Sequence, residues 1–267
     1  MIFENFTEPL DKRWTQTCIG GGKLYFEDFK LRMAFESARQ GQYTDAQIDD
    51  YGELPRSDFP WQPPLRMKVI ARSSLPAATL GKSDNPGTLR GTAGFGFWNY
   101  PFSVQGDILM LPEAVWFFYA SPPSNMALVP GIPGWGWKAQ VVNTMNLGSL
   151  VATVPLAATI AFGLLTGKTR RAARWMQKVA GAYEALLAVE MDEWHTYILE
   201  WQLSEALFWV DDTLVLRSPQ SPTRPLGFVA WLDNQYAVAT PRGVLRFGTV
   251  SSGPQWLELE SVKIEQL

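Results

Sequence analysis

Residues 194–217, WHTYILEWQLSEALFWVDDTLVLR, leave this chain few ways to fold. His195, Tyr197, Leu199 and Trp201 alternate with Trp194, Thr196, Ile198 and Glu200, which is the period of a strand. Ser204 and Glu205 supply a turn, and 206–210 reads as a second strand. Asp211-Asp212 then turns tightly into 213–217. Three consecutive strands form an antiparallel meander. Its large apolar residues need a second sheet to pack on.

The rest of the chain can supply that sheet. At 267 residues it is near the upper size of one domain, a length that all-β sandwiches reach. Hydrophobic residues make up 46% and charged residues 18%, so a sizeable core is available and the composition argues against disorder. Twelve tryptophans demand a large core, an aromatic-lined groove, or both. A net charge of −3 argues against nucleic acid as a partner. The single Cys18 cannot build a disulfide framework and fits a reducing compartment. The opening MIFENFTEPL has neither the basic start nor the apolar run of a signal peptide; if Met1 is the true start, the expected location is cytoplasmic.

Taken in order, residues 1–40 read as entry strands, with a turn near 9–11, a glycine break at 20–22 and one alternating strand over 24–35. Residues 41–64 are polar and turn-rich. Residues 65–72 (LRMKVIAR) alternate as a half-buried strand, and 73–90 form a loop. Residues 91–102 (GTAGFGFWNYPF) are the next strand, whose glycines allow close backbone approach or a bend. Residues 111–120 (LPEAVWFFYA) read as a strand buried on both sides or lining a cleft, 121–137 as a proline-rich loop, and 138–143 as a short strand. After the meander come a loop at 218–225, a buried strand at 226–232, a local pairing at 244–250, and a closing strand at 256–267. The whole reads as a single domain over 1–267.

Residues 150–189 break the strand pattern. An apolar run of 16 residues is interrupted by Pro155 and falls short of the roughly 20 needed to span a membrane. Beyond it, Arg171, Arg174 and Lys178 fall on one helical face, and Ala172, Met176, Val179, Tyr183 and Leu186 on another. The expectation is a helical insertion, packed on the sandwich or serving as a lid or membrane-surface patch.

Residues 193–201 (EWHTYILEW) and 208–212 (FWVDD) resemble the F-H-T-Y-x-x-x-W … W-Y-V-D-G signature of family 16 glycoside hydrolases, the laminarinase-like enzymes. Residues 65–72 resemble the family's strand ahead of the cleft, 94–99 its G-x-x-x-A-F-W strand, and 257–264 its closing V-D-Y-V-R-V strand. Asp212 departs from the family's Gly. The resemblance implies an all-β, concanavalin A-like jelly-roll β-sandwich of two antiparallel sheets, with the insertion at 150–189 outside it. It also implies a concave sheet that binds polysaccharide, a structural role for His195, and retaining hydrolysis by a Glu-x-Asp-x-(x)-Glu strand. Residues two apart on a strand share a face at about 7 Å, and a retaining pair needs carboxyls about 5–5.5 Å apart.

The strand after Trp98 should carry those carboxylates, and it carries Ala114, Trp116 and Phe118 or Tyr119 instead. Glu113 is one position off, which places it on the opposite face. Asp107 is separated from it by Pro112. The scaffold is therefore expected without the family's chemistry. Trp98, Trp116, Tyr119, Trp135, Trp137 and Trp231 are candidate aromatic surfaces, each alternatively a core side chain. Asn99, Asn125, Asp233, Asn234 and Gln235 are candidate polar contacts, with 233–236 alternatively a turn. This mix suits a carbohydrate and equally a small apolar ligand. Glu36, Asp49 and Asp50 are lone carboxylates on strands that could edge the groove. A retained ligand-binding groove is the leading expectation. An enzyme of another class, closed by the insertion, and a membrane-surface protein are the alternatives. One Cys and one His cannot build a zinc site. No cofactor is expected beyond the family's structural calcium, for which Glu260 is a weak candidate.

Overall fold

The alternating segments become the walls of a two-sheet sandwich. The computed structural model describes residues 1–7, 10–79, 87–100, 112–126, 128–129, 131–143, 181–239 and 245–267. The strands are β1 (Ile2–Glu4), β2 (Thr15–Ile19), β3 (Lys23–Glu27), β4 (Lys30–Phe35), β5 (Asp45–Asp49), β6 (Leu65–Ser73), β7 (Thr92–Trp98), β8 (Glu113–Ala120) and β9 (Asn125–Met126). They continue as β10 (Gly136–Asn143), β11 (Ala182–Leu186), β12 (His195–Trp201), β13 (Ala206–Val210), β14 (Thr213–Ser218), β15 (Gly227–Asp233), β16 (Gln235–Ala239), β17 (Leu245–Thr249) and β18 (Gln255–Gln266). Among the described residues there is no α-helix, and none that could cross a membrane.

One sheet has eight strands in the order β14-β13-β12-β6-β18-β4-β3, with β1 also beside β18. The other has seven, in the order β11-β10-β8-β7-β15-β5-β2. Every pair in both is antiparallel. A small sheet, β17-β16-β9, continues from the end of β15. Aromatic rings knit the two large sheets. Phe95 and Phe117 meet Tyr197 at 5.2 and 5.0 Å, Phe117 meets Phe208 at 5.3 Å, and Phe97 meets Trp201 at 5.4 Å. All six rings are fully buried, and each contributes roughly 1.5–3 kcal/mol through burial.

The meander is β12-β13-β14. Tyr197, Leu199 and Trp201 point into the core as their spacing requires. Asp211 and Asp212 both have positive φ, 47° and 65°, the geometry of a two-residue type I′ hairpin. Asp211 also accepts from the Thr196 N–H at 2.8 Å and pairs with His195 Nδ1, while His195 Nε2 meets the Glu190 carbonyl at 3.0 Å. The lone histidine orients the hairpin.

Three segments differ from the sequence reading. Residues 24–35 form a hairpin, β3-β4, because Asp28 and Phe29 take positive φ without a glycine to announce it. The turn-rich 41–64 contains β5. Its Asp residues favour turns, but Ala46 and Ile48 reach the core and tertiary packing overrides the local preference. Residues 182–186, given to the helical insertion, are instead the edge strand β11: ladder bonds to β10 were available, and Tyr183 packs against the core. The remainder of that insertion, 150–180, lies outside the described residues, as does Asp107.

Candidate functional site

Alternation divides the seven-stranded sheet cleanly. Phe95, Phe97, Val115, Phe117, Tyr119, Trp137, Ala139 and Phe228 face the core. The intervening residues face outward. In register, one row across the sheet runs Glu184, Gln140, Trp116, Gly96, Val229, Asp49. The next runs Leu186, Lys138, Phe118, Gly94, Trp231, Gln47. A third pairs Thr92, Asp233 and Asp45.

The middle of this face is an aromatic floor. Trp116 lies 5.2 Å from Trp231, 5.2 Å from Phe118 and 5.8 Å from Trp98. Trp98 continues to Tyr100 at 5.3 Å, and Tyr100 to Tyr51 at 5.6 Å. The floor exists because β7 reads Gly94-Phe95-Gly96. A Cβ at Gly94 would come within 2.9 Å of the Trp231 ring, and one at Gly96 within 2.6 Å of Trp116 Cβ. The two indoles thus meet above a strand stripped of side chains. Each indole N–H is occupied: Trp116 donates to Gln140 Oε1 at 2.8 Å, Trp98 to Tyr51 Oη at 2.9 Å, and Trp231 to Thr92 Oγ1 at 2.9 Å. The rings are held in place while Trp98, Trp116 and Phe118 remain half-buried. The outer face of the eight-stranded sheet is different in kind. There Glu258 is bracketed by Arg32 and Arg72 at 2.8 and 2.9 Å, and both guanidinium groups stack on Trp256.

Polar groups close the aromatic floor at both ends. On the β10-β11 side, Lys138 meets Glu184 at 3.0 Å and Gln140 donates to the same carboxylate oxygen at 2.8 Å. Burial pulls the Lys138 ammonium down, and Glu184 opposes the shift. On the β15-β5 side, Asp233 and Asp45 stand directly opposite each other. Asp233 Oδ1 accepts from Thr92 Oγ1 at 2.7 Å and the Gln235 N–H at 2.9 Å. Burial pushes its carboxyl up to about 6 despite those bonds. Burial first, and the Asp233 carboxylate second, push Asp45 up to about 8. Asp45 Oδ1 has no hydrogen-bond partner. Asp49 accepts from the Gly52 N–H at 2.7 Å and from Gln47 at 3.0 Å; burial raises it as well.

The structure brings together Trp98, Trp116, Trp231 and Asp233 of the residues singled out from sequence. Tyr119 and Trp137 are corrected to core side chains, because their odd position on β8 and β10 turns them inward. Tyr119 donates to the Leu89 carbonyl at 2.7 Å and Trp137 to Tyr197 Oη at 3.3 Å. Asn99 is buried and accepts the Glu113 N–H at 3.1 Å, extending the β7-β8 pair. Asn234 is fully buried; it accepts from Thr44 N–H and donates to the Gln42 and Val250 carbonyls, which makes it a loop clamp. Asn125 and Gln235 are exposed on β9 and β16, and Trp135 is half-buried ahead of β10. Asp50 lies off the aromatic face, holding Trp61 Nε1 and the Phe228 N–H. Glu36 is exposed just beyond β4. Sequence reasoning passed over Asp45, Gln47, Lys138, Gln140 and Glu184. The alternation of 45, 47 and 49 with Ala46 and Ile48 was the available signal.

On β8 the outward residues are Ala114, Trp116 and Phe118, and Glu113 faces the other way. No carboxylate pair for retaining hydrolysis stands on that strand. Among the described residues no group of three or more His, Cys, Asp or Glu side chains is placed to hold a metal ion. Glu260 sits where the β18-β6 register slips. An open depression of about 470 Å³ beside Ser204, Glu205, Arg217 and Pro219 belongs to the far edge of the opposite sheet.

Solved structures share this architecture. One, from work on endo-acting O-glycanases of the human gut microbiota that initiate mucin breakdown, superposes with a TM-score of 0.54 at 11% identity, over 100% of this chain and 99% of that one. A pseudo β-1,3-glucanase and immunostimulatory antigen of Mycobacterium tuberculosis gives 0.52 at 12%, over 100% and 98%. A laminarinase from Flavobacterium sp. UMI-01 gives 0.50 at 13%, over 100% and 99%. The fold is that of the laminarinase-like sandwiches. Identity this low carries the architecture and leaves the chemistry to this chain's own residues. No protein-family model matches the sequence, and no curated protein matches it.

Proposed function

We propose that the outer face of the seven-stranded sheet binds a carbohydrate and does so without retaining glycosidase chemistry on β8. The observation that carries this reading is Trp116. Its indole, joined by Trp98, Phe118 and Trp231, paves the position where a hydrolytic sandwich of this kind would present carboxylates. Pyranose rings have one apolar face of C–H groups, which stacks on such a surface. Ring hydroxyls then reach sideways to polar groups, here Gln140 and Gln47 in the same rows. Because the indole N–H groups are already bonded, little ordering remains for the ligand to impose. Carbohydrate-active neighbours sharing the fold support the ligand class.

The test is direct titration with β-1,3- and mixed-linkage gluco-oligosaccharides, following tryptophan fluorescence, alongside a reducing-sugar assay. Saturable binding without sugar release is expected. Release at ordinary enzyme rates would contradict the reading.

A further inference from the structure

The two polar ends of the aromatic floor differ in charge. At the β10-β11 end, Glu184 has its cation beside it in Lys138, 3.0 Å away. At the β15-β5 end, the charges acting on Asp45 are the carboxylates of Asp233 and Asp49, and both push against its ionisation. Asp45, Asp49 and Asp233 are 3%, 3% and 6% exposed. Two of the three are satisfied by hydrogen bonds from Thr92, Gln235, Gly52 and Gln47. Asp45 is held by the Tyr43 hydroxyl and the Ala46 N–H, yet its Oδ1 is buried with no donor. A buried oxygen without a donor is retained at a cost that a ligand donor would remove. Trp231 stands diagonally across from Asp45, opposite Gln47, and shares Thr92 with Asp233. An indole face next to uncompensated carboxyls is the chemistry that recognises an ammonium group, through the ring quadrupole and charge-assisted hydrogen bonds.

We infer that Asp45 and Asp233, directly opposite each other on β5 and β15, form with Trp231 a subsite for the protonated amine of an amino sugar within the bound glycan. The inference rests on the carbohydrate reading above and narrows it to glycans that carry a free amine. Anionic sugars are disfavoured at this end by like charge. Occupation by the amine converts Asp45 from its protonated form to the carboxylate and releases a proton to solvent. The groups facing Asp45 that set this titration are Asp233, Asp49, Tyr43 and, across β2, Cys18.

The experiment is calorimetric titration of the full chain with glucosamine tetrasaccharide, its fully N-acetylated counterpart and a neutral glucose tetrasaccharide, each at pH 6.5 in two buffers of different ionisation enthalpy. The free-amine ligand is expected to bind at least tenfold more tightly than the acetylated one. Only the free-amine ligand should show a buffer-dependent heat, from release of up to one proton. Asp45→Asn should bring the affinity ratio to near one and abolish the buffer dependence. Continued binding of the neutral ligand by that variant shows that it is folded. Equal affinity of the wild type for the amine and acetylated ligands overturns this inference and leaves the carbohydrate reading standing. A preference that survives both Asp45→Asn and Asp233→Asn overturns it as well. Absence of binding by all three oligosaccharides overturns the carbohydrate reading and the inference together.

Discussion

At Gly96 the backbone takes φ 145°, and a Cβ would lie 2.6 Å from both Cα and Cβ of Trp116. Gly96→Ala is therefore expected to cost about 1–3 kcal/mol of stability and to displace the Trp116 indole. Denaturant unfolding measures the first effect, and the near-ultraviolet dichroism of the aromatic floor reports the second. The hairpin at Asp211-Asp212 separates two roles in adjacent residues. Asp212 supplies only a left-handed backbone, so Asp212→Gly should raise stability by up to about 1 kcal/mol. Asp211 also holds the Thr196 N–H and His195, so Asp211→Gly should lower stability despite relieving the same backbone. A pair of urea unfolding curves distinguishes these outcomes. The turn was legible because Asp tolerates positive φ. The Asp28-Phe29 turn was not, because Phe29 gives no such sign and its ring is exposed.

Among the elements, β5 was the hardest to see and has the largest consequence for pH. Its sequence, Asp-Ala-Gln-Ile-Asp, reads locally as a turn. It becomes a strand because β15 and β2 offer ladders on both sides. That pairing buries Asp45 and Asp49 outward and leaves Asp50 on Trp61 at the strand's end. Asp45, Asp50 and Asp233 have carboxyl groups held at about 8, 7 and 6, all above their values in an unfolded chain. The folded state therefore binds protons more tightly in this range. The stability these groups contribute is complete below the unfolded carboxyl range and is lost as pH rises through about 6 to 8. The thermal midpoint should fall between pH 5 and pH 9, and Asp45→Asn should flatten the upper part of that slope. A midpoint that rises across the same window would contradict the assignment. The long alternating elements β6, β12, β13 and β18 were legible because one face of each is core and the other solvent. The edge strand β11 was hidden by its helical-looking Tyr183 and Leu186. Only the open ladder of β10, invisible to local pattern, makes it a strand.

Across the whole molecule, the meander placed the fold, and β8 presents Ala114, Trp116 and Phe118 outward in place of a carboxylate pair. Both were readable, one from Tyr197, Leu199 and Trp201 and the other from Ala114 and Trp116. The face itself was readable only in part. Trp98, Trp116, Trp231 and Asp233 could be named in advance, but a sequence does not say which strands are neighbours. Nothing local reveals that Trp116 and Trp231, on β8 and β15, meet across two glycines of β7. The polar ends formed by Lys138, Gln140 and Glu184, and by Asp45 and Gln47, follow from the same strand order. The most direct test of the central claim is the affinity of the wild type and of Trp116→Ala for a neutral β-1,3-gluco-oligosaccharide. Saturable binding by the wild type, weakened at least about tenfold (1.4 kcal/mol) in a folded Trp116→Ala variant, is the predicted result. Absence of saturable binding, or binding that Trp116→Ala leaves unchanged, would contradict the assignment of this aromatic face as the carbohydrate site.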